Sequence, residues 1–170
     1  GNVLLEGRVI SGLTPHRIAE RGIGRTFQNI RLFSELTVLE NVMIGHHLKQ
    51  RGTLLGTLLH LPHSRREEKA SFDSAFELLR RLRMDHLAHV SARALSYGDQ
   101  RRVEIARALA LEPLLLLLDE PAAGMNSTET AQLTEFLLEL NETSLTLLII
   151  EHDMDMIMRV CDRVTVLERG

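Results

Sequence analysis

The chain has 170 residues, 44% of them hydrophobic and 25% charged, with a formal net charge of −3. That is enough to give one α/β domain a substantial core, and it offers no electrostatic case for nucleic acid or an anionic membrane surface. Aromatic residues make up 4% and Trp is absent, which leaves few platforms for base stacking. A lone Cys161 excludes an internal disulfide framework and fits a reducing compartment. No signal peptide is visible, and no apolar run approaches the ~20 residues that cross a bilayer, so any membrane role comes through a partner.

In chain order, Val3–Leu5 and Arg8–Ile10 read as two short strands about a turn at Gly7. Thr14-Pro15 starts a helix, because Pro at the first helical position gives up no needed hydrogen bond. Gly22 supplies the left-handed residue that ends this helix after Arg21. Ile23–Phe27 reads as a strand leading to Gln28. Thr37 and Glu40 have capping-box spacing and introduce a helical pattern through about Leu48. After a Gly- and Leu-rich connector, Arg51–Pro62, the spacing predicts a long amphipathic helix over Ser64–Arg83. Phe72, Ala75, Phe76, Leu79 and Leu82 share its apolar face. Arg31–Val90 thus reads as a mainly helical insert between strands, and the chain divides at residues 1–30, 31–95 and 96–170.

The stretch Leu95–Ala123 carries the chemistry. Ser96 followed by Asp99 signals a helix start, and such a start beside Gly98 presents free N–H groups and positive dipole charge that suit a phosphate. Arg101, Arg102 and Arg107 read as solvated charges on that helix, which breaks at Pro113. Leu114–Leu118 is short, apolar on both faces and bounded by proline, as expected of a fully buried parallel strand. Asp119 and Glu120 end it where open α/β sheets bind ligands. Thr128–Leu140 reads as a helix and Ser144–Ile150 as a second buried strand, ended by Glu151 and His152 at the same edge. Asp153–Cys161 reads as a helix and Arg163–Leu167 as a last strand. An anion site and an acid pair placed by one sheet point to a nucleoside triphosphate with its magnesium.

Together these residues resemble the nucleotide-binding domain of ATP-binding-cassette (ABC) ATPases over nearly the whole chain. Ser96-Tyr97-Gly98-Asp99-Gln100 resembles the signature loop, with Tyr97 where many members carry glycine. Leu114–Asp119, followed by Glu120, resembles the Walker B strand. Ala123–Asn126 resembles the D-loop, with Asn126 where Asp is commoner. Gln28 fits the Q-loop and His152 the switch histidine. The wording of Arg25–Val42, Leu95–Leu109, Asp119–Asn126 and Ile150–Met154 is similar to one branch, the ATPase subunits of branched-chain amino-acid importers. The implied fold is an α/β, P-loop-type parallel sheet, incomplete here, with an inserted helical subdomain.

The resemblance implies roles. Asp119 holds Mg²⁺, usually through water, since hard oxygen ligands suit that ion. Glu120 acts as general base or positions the water that attacks the γ-phosphate of ATP. Gln28 touches the metal or the attacking water, and His152 hydrogen-bonds the γ-phosphate. Ser96 and Gly98, within the loop that Tyr97, Asp99 and Gln100 complete, serve the ATP of an opposing subunit, and Asn126 lies at that dimer interface. Plainer readings stand beside these: a polar turn at Asp119-Glu120-Pro121, surface polarity at Gln28, and helix caps at Ser96 and at Asn126 with Glu129. His16, His46, His47, His60, His63, His86 and His89 read as structural or exposed, and His60-x-x-His63 lacks further metal ligands.

The implied partners are a second ABC ATPase subunit, identical or not, and transmembrane permease subunits, with a periplasmic substrate-binding protein indirectly and no nucleic acid. The implied place is the cytoplasmic side of the inner membrane. The apolar run Thr53–Leu61 either packs on a membrane subunit or folds back onto its own helices. No G-x-x-x-x-G-K-S/T occurs in the sequence. In the family this loop lies N-terminal to the region where the chain begins, and Gly1–Leu5 reads as the end of a strand without an initiator Met. The chain is therefore expected to be an excerpt that does not hydrolyse ATP alone. Two alternatives remain at this level: a non-catalytic module that completes a partner's ATP site, and an ABC ATPase for another substrate, such as lipopolysaccharide export.

Overall fold

The computed structural model describes residues 1–49, 62–143 and 145–168. A two-stranded antiparallel hairpin, β1 (Leu4–Leu5) and β2 (Arg8–Val9), stands apart from a three-stranded parallel sheet of β3 (Ile23–Arg25), β4 (Leu115–Asp119) and β5 (Thr146–Ile150). β4 is central. It pairs Ile23 with Leu115 on one side and Asp119 with Ile150 on the other. The helices are α1 (Pro15–Glu20), α2 (Val38–Lys49), α3 (Pro62–Arg81), α4 (Tyr97–Leu109), α5 (Ser127–Asn141) and α6 (Met154–Val160).

Local signals explain the starts and stops. Gly22 has a φ of +91°, and its carbonyl accepts from Leu114 and Leu115 N–H at 2.7 and 3.0 Å. A Cβ there would sit 2.9 Å from Leu114 Cγ, so this one residue both turns the chain and admits the start of β4. Thr37 and Glu40 form the expected capping box: Glu40 accepts from Thr37 N at 2.7 Å, and Thr37 Oγ1 accepts from Glu40 N at 3.2 Å. Those bonds hold the Glu40 carboxyl below its ordinary pKa. The first N–H groups of α2 are taken by the chain just before α4, with Val38 N on Val90 O and Leu39 N on Ala88 O, both at 2.9 Å.

The core joins α2, α3, α4, α5 and α6 to one face of the sheet through Val42, Leu79, Val103, Ile105, Leu116, Leu118, Leu137 and Met156. On α3 the buried stripe is Ser71, Ala75 and Leu79, continued by Leu82 just past its end, and Phe72 is exposed, stacked beside Phe76. The expectation that Phe72 faced the core is therefore corrected: it lies one position outside the 3-4 spacing set by Ser71 and Ala75.

Two strand readings also change. β4 is not buried on both faces. Leu116 and Leu118 are closed off, but Leu115 and Leu117 are half-buried, and Leu148 and Ile150 on β5 are exposed. Among the described residues, the helices of the main core pack on the Leu116 and Leu118 side of the sheet, and hydrophobicity alone does not report how many layers surround a strand. Arg163–Leu167 forms no strand, and Val164, Val166 and Leu167 are exposed. A β-rich composition needs a ladder partner, and none among the described residues pairs with this segment. The Arg51–Leu61 part of the connector, the Thr53–Leu61 run within it, and Ser144 at the expected start of β5 lie outside the described residues, as do the side chains of His47, His60 and His63.

Helices α2 and α4 cross at Gly45, where a Cβ would collide with the carbonyl oxygen of Arg107 and lie 3.0 Å from Ala110 Cβ. Gly45→Ala is expected to destabilise the fold by about 1–3 kcal/mol through overpacking. A urea-denaturation midpoint no lower than wild type would show that the crossing has slack.

Candidate functional site

The carboxyl edge of the sheet gathers residues from three loops. Past Arg25 the β3 ladder makes one more bond, Thr26 N to Leu117 O at 3.0 Å, and the chain then turns into Phe27-Gln28. At the end of β4, Glu120 adopts a φ of +43°, a region that costs a non-glycine residue about 1–3 kcal/mol. Its N–H is held by Ile150 O at 2.9 Å. The turn is met by Gln28, whose Nε2 donates to Glu120 Oε2 at 2.8 Å. Asp119 Oδ2 pairs with Arg25 Nη2 at 3.2 Å, both groups being partly open to solvent. Arg25 and Arg31 flank the Phe27 ring, 5.4 and 4.8 Å from its centroid.

At the end of β5, Glu151 is closed off while His152 is 80% exposed. The Glu151 carboxylate accepts from Ala122 N at 2.8 Å and from His152 N at 2.9 Å, and it lies 3.6 Å from His152 Nδ1. It therefore ties the chain after Asp119-Glu120-Pro121 to the histidine. The sequence places Glu151 at the ligand edge as a strand end beside His152, without this tie to the Ala122 backbone. The available signal was an acid immediately before the histidine, on a strand whose neighbour also ends in acids.

Ser96 caps α4. Its Oγ accepts from Asp99 N at 3.1 Å and donates to Asp99 Oδ2 at 2.9 Å, while the other Asp99 oxygen pairs with Arg102. Gln100 Nε2 reaches back to Leu95 O at 3.1 Å. Asn126 caps α5 with its side-chain oxygen on Thr128 N and Glu129 N, each at 3.0 Å. Glu129 closes that capping box on Asn126 N at 3.1 Å, and its other oxygen accepts from Gly98 N at 3.2 Å. One carboxylate thus joins the two helix starts, a function that the sequence reading did not give it. The Tyr97 ring lies over Gly124, 3.6 Å from where a Cβ would stand. Both donors expected to face a phosphate, Ser96 Oγ and Gly98 N, have internal carboxylate partners here.

The reading of the three arginines as solvated is corrected. Arg101 is fully buried, Arg102 is held by Asp99, and Arg107 is half-buried, with desolvation lowering its pKa. Arg101 lies on the stripe with Glu104, Ile105 and Ala108, the buried face of α4. An Arg–Glu pair at i, i+3 on that stripe was the missed signal.

Asp119 and Gln28 offer hard oxygen atoms suited to a cation that keeps most of its waters. Among the described residues no cluster of three or more His, Cys, Asp or Glu can hold a metal by itself. An acid pair, a glutamine and a histidine gather on one sheet edge, and the capped Ser-x-Gly start of α4 is joined through Glu129 to the helix that follows β4. The chain belongs to the ABC transporter family, whose model matches residues 1–123.

Its relatives narrow the class. The high-affinity branched-chain amino acid transport ATP-binding protein LivG of Escherichia coli K12 is 43% identical over 171 aligned residues, covering 100% of this chain and 67% of that protein. The corresponding BraF of Pseudomonas aeruginosa is 41% identical with the same coverage. A nucleotide-free ATP-binding cassette from an ABC transporter matches with a TM-score of 0.77 and 34% identity, over 95% of this chain and 63% of that one. A dimeric cassette in a post-hydrolysis state bound to ADP and Pi gives 0.71 and 28%, over 94% and 66%. The chain therefore spans about two thirds of the length of these relatives.

Glu151→Ala is expected to leave the Ala122 and His152 N–H groups without their acceptor and to cost about 1–3 kcal/mol. Glu151→Gln keeps an acceptor and should lose less. Equal thermal midpoints for the two variants would remove the hydrogen-bonding account.

Proposed function

We propose that the full-length protein is the ATP-binding and ATP-hydrolysing subunit that powers import of branched-chain amino acids through partner permease subunits. The observation that carries this reading is the 2.8 Å bond between Gln28 and Glu120 beside Asp119, in a chain 43% identical along its whole length to a branched-chain amino acid transport ATP-binding protein. The relatives favour neither lipopolysaccharide export nor a non-catalytic module.

ATP with Mg²⁺ is the proposed ligand. Asp119 reaches the open sheet edge with, among the described residues, only an exposed arginine as partner, and Gln28 commits Nε2 to Glu120, which leaves Oε1 for a cation. This small oxygen set fits an ion that is usually bound through one or two protein carboxylates plus phosphates and water. When bound, the ion neutralises charge on the phosphate oxygens.

The remaining work falls to this chain's own groups. Glu120 orients the attacking water and takes its proton, held in place by Gln28. His152 donates to a γ-phosphate oxygen from a backbone fixed by Glu151. Across the dimer, Ser96 Oγ and Gly98 N exchange their internal acceptors, Asp99 and Glu129, for the γ-phosphate of the partner's ATP. Tyr97, Gln100 and Asn126 line that interface. The dimeric relative supports pairing of two such subunits.

No helix among the described residues is long and apolar enough to cross a membrane. The proposed place is the cytoplasmic side of the inner membrane, bound there through the permeases, with a periplasmic substrate-binding protein delivering the amino acid on the other side.

In the full-length protein, Glu120→Gln is expected to retain ATP binding, accumulate closed dimer on gel filtration, and lower hydrolysis by about 10²–10⁴-fold. Wild-type turnover would take Glu120 out of its role. Reconstituted with its permeases and binding protein, the wild-type subunit should drive ATP-dependent uptake of labelled leucine, isoleucine or valine. Uptake of none of the three would overturn the substrate assignment.

A further inference from the structure

We infer that the buried Arg101–Glu104 pair is a positioning device that sets Gln28 against Glu120, so that the helix capped by Ser96 also fixes the register of the glutamine loop. The inference rests on the proposed ATPase reading and deepens it. Arg101 and Glu104 are 0% and 2% exposed and bridge Arg101 Nη1 to Glu104 Oε2 at 2.8 Å. Taking two ions out of water costs more than their mutual attraction normally returns, and apolar residues of similar size are often at least as stable. Packing alone therefore does not account for the pair.

What the pair holds is a single segment. Arg101 Nη1 also donates to Phe27 O at 2.6 Å, and Nη2 donates to Gln28 O at 2.7 Å. Glu104 Oε1 accepts from Arg31 N at 3.2 Å. Residues 27–31 are thus gripped at both ends by opposite charges from one turn of α4. The grip begins where the sheet stops, since Thr26 N to Leu117 O is the last ladder bond before it.

Chemistry selects arginine for this task. Its guanidinium is a planar fork whose two terminal nitrogens meet two successive carbonyls in fixed relative orientation, which a lysine ammonium does not do. Arg101 Nε has no partner, so the group is oriented by the loop carbonyls and Glu104 even though one of its own donors goes unmet. With the Gln28 backbone held, its side chain has only its rotamers to settle, and Nε2 falls 2.8 Å from Glu120 Oε2. A shift of about 1 Å in a positioning element can lower a rate by about 10²-fold.

The test uses the full-length subunit carrying Arg101→Met and Glu104→Leu together, which removes both charges and leaves no buried ion unpaired. Expected are a KM for ATP within about twofold of wild type, a kcat lowered at least about tenfold, and faster hydrogen exchange of the residue 27–31 amides without nucleotide. In a Gln28→Ala background the same pair of substitutions should lower kcat no further, because both changes remove one effect. Arg101→Lys carries the same cycle if the double variant does not fold. An unchanged kcat, a loss that multiplies that of Gln28→Ala, or unchanged amide protection would overturn the proposal. The exchange measurement does not depend on turnover. A wild-type protein that fails to hydrolyse ATP would therefore defeat the ATPase reading, while the exchange result still judges the clamp.

Discussion

The parallel pairing of β4 with both of its neighbours is the constraint from which the site follows. Asp119 is level with Ile150, and the ladder continues one residue further, from Glu120 N to Ile150 O. On the other side Thr26 N reaches Leu117 O. Loops leaving β3, β4 and β5 therefore start from a common edge. Parallel strands bring their carboxyl ends together, and there the acids, the glutamine and the histidine meet. Within such a ladder a shift of one residue would turn Asp119 to the opposite face.

Behind that edge the chain uses buried charge. Arg101 and Glu104 hold residues 27–31, and Glu151 holds the backbone at Ala122 and His152. The exposed pair Arg25–Asp119 is of the kind that contributes about 0–1 kcal/mol and can be exchanged for a ligand. The buried carboxylate and guanidinium cannot leave without exposing unpaired N–H, C=O or ionic groups to a low-dielectric interior. Groups proposed to face a nucleotide thus have exposed side-chain tips on firmly held backbones.

Helix caps connect this edge to the rest of the molecule. Thr37–Glu40, Ser96–Asp99 and Asn126–Glu129 each satisfy N–H groups that a helix cannot satisfy itself. Glu129 goes further, because its second oxygen takes Gly98 N. The starts of α4 and α5 are therefore coupled through one side chain, and a ligand that claims Gly98 N must draw it away from Glu129.

The sequence by itself determined the local events: the caps at Thr37, Ser96 and Asn126, the left-handed Gly22, the helix starting at Pro15, and the strands ending in Asp119-Glu120 and Glu151-His152. Those signals involve neighbours within four residues or a simple apolar period, and each was legible without knowing what lay across the fold. The site's assembly was legible only through the ordered motifs and their resemblance to a family, since no periodicity brings Gln28 to Glu120. Tertiary packing, by contrast, settles that Arg101 is buried, that Glu129 and Glu151 reach other loops, that Phe72 faces outward, that Leu115 and Leu117 are only half-buried, and that residues 163–167 pair with no strand among the described residues. In each case the outcome depends on what packs against a residue from a distant part of the chain, and charge or hydrophobicity at one position carries no record of that neighbour.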